Sequence, residues 1–127
     1  MKNIKRIAAG VLAAAAVLVP STARADTPYA QASAKVEADG SVSHSKHITD
    51  AWHPSKGTYC LAVDDHVDLD GEVAVHVTPV GLYHTPRSLS VEVGGHPCGW
   101  GHGSTITVYS TTTYRGPADT AFYLTVS

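Results

Sequence analysis

Glu72-Val73-Ala74-Val75-His76-Val77-Thr78 places valine at every second position, with alanine and histidine between. Successive side chains of a strand point to opposite faces, so this period of two predicts a strand with one buried and one wet face. Ser88-Leu89-Ser90-Val91-Glu92-Val93 repeats it, with Leu89, Val91 and Val93 inward. Working outward, Thr58-Tyr59-Cys60-Leu61-Ala62-Val63 reads as a buried strand. Residues 105–111 put Ile106 and Val108 on one face, and residues 121–126 do the same with Phe122, Leu124 and Val126. A short alternating stretch, 33–37, turns at Ala38-Asp39-Gly40 and returns over 41–45. Between these lie an irregular segment with Trp52 and Pro54, an acidic connection over 64–71, a loop over 79–87, a glycine-rich loop over 94–103 and a turn at Arg115-Gly116-Pro117. No segment after the first 25 residues sustains apolar spacing at i, i+3, i+4 and i+7. About seven short strands punctuated by Gly and Pro predict an all-β fold, a sandwich or a small barrel. A compact antiparallel β-sandwich with one disulfide is the expectation.

The N-terminus reads differently. Lys2, Lys5 and Arg6 precede an apolar run from Ile7 to Val19; Pro20 breaks it, and Ala23-Arg24-Ala25 supplies small residues for cleavage. This predicts a secretory signal peptide over 1–25 and a secreted, extracellular product. The run is too short to span a bilayer comfortably, and no later segment suggests a membrane anchor. Residues 26–33, with Pro28, Tyr29 and mostly small side chains, read as a flexible N-terminal arm whose removal should leave the fold intact. One β-sandwich domain is expected over 34–127. Residues 26–127 retain five basic side chains (Lys35, Lys46, Lys56, Arg87, Arg115) against 11 acidic ones, a net charge of −6 with neutral histidine. That opposes nucleic-acid binding, which needs a basic patch, and attraction to anionic lipid.

Cys60 and Cys98 are the only cysteines. Export to an oxidising compartment predicts that they bridge; a thiolate pair binding metal with histidines is the rival reading. The loop between them spans 38 residues, for which chain entropy gives roughly 4 kcal/mol.

Eight histidines suggest metal. His44, His47, His96 and His102 are the candidates for a metal-dependent binder or enzyme, because zinc needs three or four convergent ligands. Scattered surface histidines are the favoured alternative, so no metal or other cofactor is expected. Asp64, Asp65, Asp68 and Asp70 precede Gly71. Placing Gly71 sixth in a calcium loop puts His66 first and Val77 twelfth, which fails the EF-hand order. A solvated acidic turn fits better. No Gly-x-Ser-x-Gly elbow occurs, and Glu37, Glu72 and Glu92 form no recognisable pair for glycoside chemistry, so no catalytic residues are assigned. Among the aromatics, Tyr29, Trp52, Tyr83 and Trp100 are binding candidates; both tryptophans read as loop residues able to stack on a sugar or anchor an interface.

Ala34-Lys35-Val36-Glu37-Ala38-Asp39-Gly40-Ser41, Gly57-Thr58-Tyr59-Cys60, Pro97-Cys98-Gly99 and the closing Asp119-x-x-Phe122-Tyr123-Leu124-x-Val126 carry a resemblance. From Ala34 onward the chain resembles a family of small secreted β domains from actinobacteria of Streptomyces type, and within it the adaptor subunit of umbrella toxin particles. The resemblance implies a non-catalytic scaffold that joins a lectin-bearing subunit to a large toxin subunit through an N-terminal arm and a β surface. The expected function is therefore a secreted, non-enzymatic protein–protein interaction module, the adaptor of an extracellular antibacterial toxin complex. A carbohydrate- or cell-envelope-binding β domain is the alternative.

Overall fold

The computed structural model describes residues 29–99 and 104–127. The expected signal peptide, the first three residues of the expected arm, Trp100 and His102 lie outside them. Among the described residues nine strands follow one another: β1 (Ala32–Val36), β2 (Val42–Lys46), β3 (Ile48–Ser55), β4 (Thr58–Val63), β5 (Val75–Val80), β6 (Arg87–Val93), β7 (Thr105–Thr112), β8 (Gly116–Pro117) and β9 (Ala121–Val126). One sheet runs β2-β1-β9-β5; the other runs β3-β4-β7-β6, with the two-residue β8 beside β7. Every pairing is antiparallel. The fold is the expected β-sandwich.

The alternating residues meet between the sheets. Ala32, Ala34 and Val36 of β1 and Phe122, Leu124 and Val126 of β9 face Tyr59, Leu61 and Val63 of β4 and Ile106 and Val108 of β7. Leu89 and Val91 of β6 and Val75 and Val77 of β5 pack at the margin. Each fully buried Leu or Phe contributes about 1.5–3 kcal/mol. Val67 and Leu69 of the acidic connection are also buried in this core, so that segment is fastened to the domain rather than looping free.

Three expectations need correction. Residues 48–55 form a strand despite Pro54. β3 is an edge strand whose register shifts twice against β4, and an edge tolerates both proline and irregular patterning. Pro79, expected in a loop, lies in β5, another edge strand, opposite Phe122; residues 72–74 fall before that strand. Residues 30–33 belong to the domain and not to an arm. Ala30 and Ala32 are buried, Ala32 and Ser33 pair with Val126 and Thr125, and the Gln31 amide donates to the Val126 carbonyl at 2.7 Å. Lys46 Nζ donates to the Ala30 carbonyl at 2.9 Å. Removing these residues would take Ala32 and Ser33 out of the strand that joins β9 to β2.

The Cys60–Cys98 disulfide is formed. It holds a 3-10 turn, His96–Cys98, against β4 and β7 on the side away from the core. There the Thr107 hydroxyl donates to Cys98 Sγ at 2.9 Å. The turn explains why Cys60 and Thr107, on the outer face of their sheet, are both fully buried.

Candidate functional site

The strand registers sort the loops to two ends. Val36 opposite Phe122, Val80 opposite Ala121, Arg87 opposite Thr112 and Thr58 opposite Tyr109 place residues 37–41, 56–57, 81–86 and 113–120 together at one end, the hairpin end. Ala32 opposite Val126, Ile48 opposite Val63 and Val93 opposite Ile106 place residue 47 and residues 64–74 and 94–99 at the other, the acidic end.

The hairpin end is a hydrogen-bonded plug. Tyr59, on the inner face of β4, reaches across the sandwich: its hydroxyl donates to the Ala38 carbonyl at 2.8 Å and accepts the Thr120 amide at 3.0 Å. Its ring stacks on His53 at 4.6 Å and meets the edge of Phe122 at 5.1 Å. Burial pushes the Tyr59 hydroxyl up to about 12, against the Thr120 N–H, which favours the ionised form. His53 Nε2 pairs with Asp119 Oδ1 at 2.9 Å, and the same oxygen accepts the Gly57 amide at 2.8 Å. Gly57 has φ 72°, and a Cβ there would run into the Ser110 carbonyl and the Ala118 amide. Gly40, at φ 89°, lies against His53. Both positions demand the one residue without a side chain.

Two large apolar side chains project from this framework. Leu82, in the β5–β6 loop, and Tyr114, in the β7–β8 turn, are 103% and 92% exposed. Neither stands out in the sequence, because a single apolar residue in a loop carries no periodic signal. Tyr83, a binding candidate, is engaged internally instead. Its hydroxyl accepts the Ala121 amide at 3.1 Å, and the Arg87 guanidinium covers its ring at 4.4 Å. Arg87 is fixed in turn by donation to the Thr85 carbonyl at 2.8 Å.

The acidic end holds a different constellation. His47 sits at the corner where the chain leaves β2 in one sheet for β3 in the other, and it is the only non-glycine with positive φ (56°) among the described residues. Its carbonyl accepts the Asp64 amide at 3.2 Å, and its Nδ1 lies 2.8 Å from Asp64 Oδ2. Asp64 Oδ1 accepts the His66 amide at 2.9 Å and lies 3.1 Å from His66 Nδ1. The two imidazoles stand 4.7 Å apart, tilted by 35°. The hydrogen bond from His47 holds the Asp64 carboxyl below the usual carboxylate range. Ligand atoms of His47, Asp64 and His66 all lie within 4.8 Å of one another. Of the three described histidines among those proposed from sequence, His47 alone belongs to this group. His44 is exposed on β2 and His96 lies in the 3-10 turn. In the sequence His66 shows only as a misfit to the calcium pattern; the usable signal is Asp64-x-His66, closed by a histidine 17 residues upstream.

The remaining binding candidates are dispersed. Tyr29 is 93% exposed, beside the start of β1 at the acidic end. Trp52 is not a loop residue: it lies half-buried within β3, opposite Cys60. Tyr29, Trp52 and Tyr83 therefore occupy the segment before β1, a strand and a loop at the far end, and form no common platform. In comparisons with known proteins, no protein-family profile, no curated protein and no solved structure matches the chain.

Proposed function

We propose that the chain is a secreted, non-enzymatic protein–protein interaction module. The observation that carries this reading is the exposure of Leu82 and Tyr114 at the hydrogen-bonded hairpin end of the sandwich. Large apolar or aromatic side chains held out by an ordered frame are what a partner's pocket takes up, with little entropy of ordering left to lose on binding. The disulfide suits an oxidising compartment, and none of the described helical segments is long and apolar enough to cross a membrane. The resemblance to umbrella-particle adaptors makes the specific proposal an adaptor between a lectin-bearing subunit and a large toxin subunit in an extracellular antibacterial complex. The Arg87 guanidinium over the ring of Tyr83 and the strand position of Trp52 weaken the carbohydrate alternative.

The test is co-purification of the untagged mature chain from native culture supernatant. A stoichiometric protein partner, lost in the double variant Leu82→Ser/Tyr114→Ser, is expected. Recovery of the chain as free monomer only would overturn the reading. Retention on insoluble polysaccharide without any protein partner would replace it with the carbohydrate one.

A further inference from the structure

We propose that His47, Asp64 and His66 form a binding site for a divalent transition ion, of which Zn²⁺ is the best fit. The inference is independent of the interaction surface at the opposite end.

The donor set comes first. Two imidazole nitrogens and one carboxylate suit Zn²⁺, Ni²⁺ or Cu²⁺, whereas Ca²⁺ and Mg²⁺ take oxygen ligands. Geometry comes next. Zinc bonds of about 2.0–2.2 Å at tetrahedral angles separate neighbouring ligand atoms by about 3.3 Å. The His47 nitrogen lies 2.8 Å from Asp64 Oδ2 and the His66 nitrogen 3.1 Å from Asp64 Oδ1, so the imidazoles flank the two oxygens of one carboxylate; with one ligand atom from each residue within 4.8 Å of the others, a small rotation of the carboxylate brings a single oxygen to both. Each imidazole turns Nδ1 toward the same carboxylate. Shifting each proton from Nδ1 to Nε2 keeps the ring neutral and frees the lone pair for the metal.

The three groups are also held in place before any ion arrives. The backbone bond from the Asp64 amide to the His47 carbonyl couples the corner to the end of β4. His66 follows in a turn closed by the Val67 amide on the Asp64 carbonyl, and Val67 is anchored in the core. His66 itself is 75% exposed on its side chain, which leaves solvent room to complete the coordination with water. This is the open, three-ligand arrangement rather than the closed four-ligand one. A bound ion would staple the acidic connection to the corner between the two sheets.

The experiment uses untagged mature protein and Zn²⁺ alone, titrated in competition with a chromophoric chelator, with thermal unfolding as a second readout. Wild type is expected to bind one equivalent and to unfold at higher temperature with Zn²⁺ present. Supporting contacts to a metal ligand are alone worth about 10–100-fold in affinity, so losing a ligand by His66→Ala or Asp64→Asn should weaken binding by at least about tenfold and abolish the thermal shift. His44→Ala and His76→Ala, at exposed positions on β2 and β5, should change neither. His66→Ala is the decisive variant because its exposed side chain is not needed for folding. Wild type that takes up no Zn²⁺, or binding that survives His66→Ala unchanged, overturns the proposal.

Discussion

The two ends of the sandwich use the same kinds of residue for different purposes. At the hairpin end, His53 Nε2 and Asp119 Oδ1 are tied to each other, to a glycine amide and, through the imidazole ring, to a buried tyrosine, and so hold loops together. At the acidic end, His47, Asp64 and His66 are tied mainly to one another and stand partly open to solvent. A His–Asp pair is thus a structural clamp or a candidate ligand set according to what surrounds it. The hairpin end presents apolar side chains on a rigid base, and the acidic end presents ligand atoms on a chain segment pinned by Val67 and Leu69.

The largest expected effect lies at the acidic end. Truncation from that end through Val36 removes all of β1, the shared partner of β9 and β2, and should abolish cooperative folding, visible as loss of the thermal transition. Full retention of the transition would show that the N-terminal strand is dispensable. Next comes the disulfide: Cys60→Ser/Cys98→Ser should lower stability by roughly 4 kcal/mol in denaturant unfolding, and two reactive thiols in protein purified without reductant would contradict the bridge itself.

At the hairpin end, Gly57→Ala should cost about 2–4 kcal/mol, since the left-handed backbone and the Ser110 carbonyl both oppose a methyl group. Tyr59→Phe should cost about 1–3 kcal/mol by leaving the Ala38 carbonyl and Thr120 amide without their partner. The same hydroxyl gives the hairpin end a pH signature. Its folded value of about 12 lies above the ordinary value of 10.0. The associated stability is complete below pH 10 and is lost as pH rises from about 10 to about 12. Tyr59→Phe should lack that alkaline loss; an identical alkaline slope in both proteins would place the titrating group elsewhere.

How much of this is legible in the sequence depends on the period of two. Where a strand has one buried face, as at Leu89 and Val91 or Phe122 and Leu124, alternation announces it. β3 and β5 are edge strands, exposed along much of their length, and Pro54 and Pro79 point to loops only if every strand is taken as interior; proline is barred from the middle of a sheet and tolerated at its edge. Ala30 and Ala32 mislead for a related reason. Small side chains look like linker composition, yet here they fit close beneath the neighbouring strands. The clustering of His47, Asp64 and His66 depends on the corner between two sheets and the register of Ile48 opposite Val63, neither of which a linear pattern encodes.

The smallest expected effect on stability accompanies the largest on binding. Leu82→Ser and Tyr114→Ser should each change unfolding free energy by no more than about 0.5 kcal/mol, because neither side chain is packed. The most direct measurement of the central claim is amide hydrogen exchange of the chain from residue 26 onward, alone and with any protein that co-purifies with it. Partner-dependent protection should appear at residues 81–86 and 113–116 and leave residues 64–72 unchanged. Protection confined to residues 64–72, or none at either end, would contradict the assignment of the hairpin end as the interaction surface.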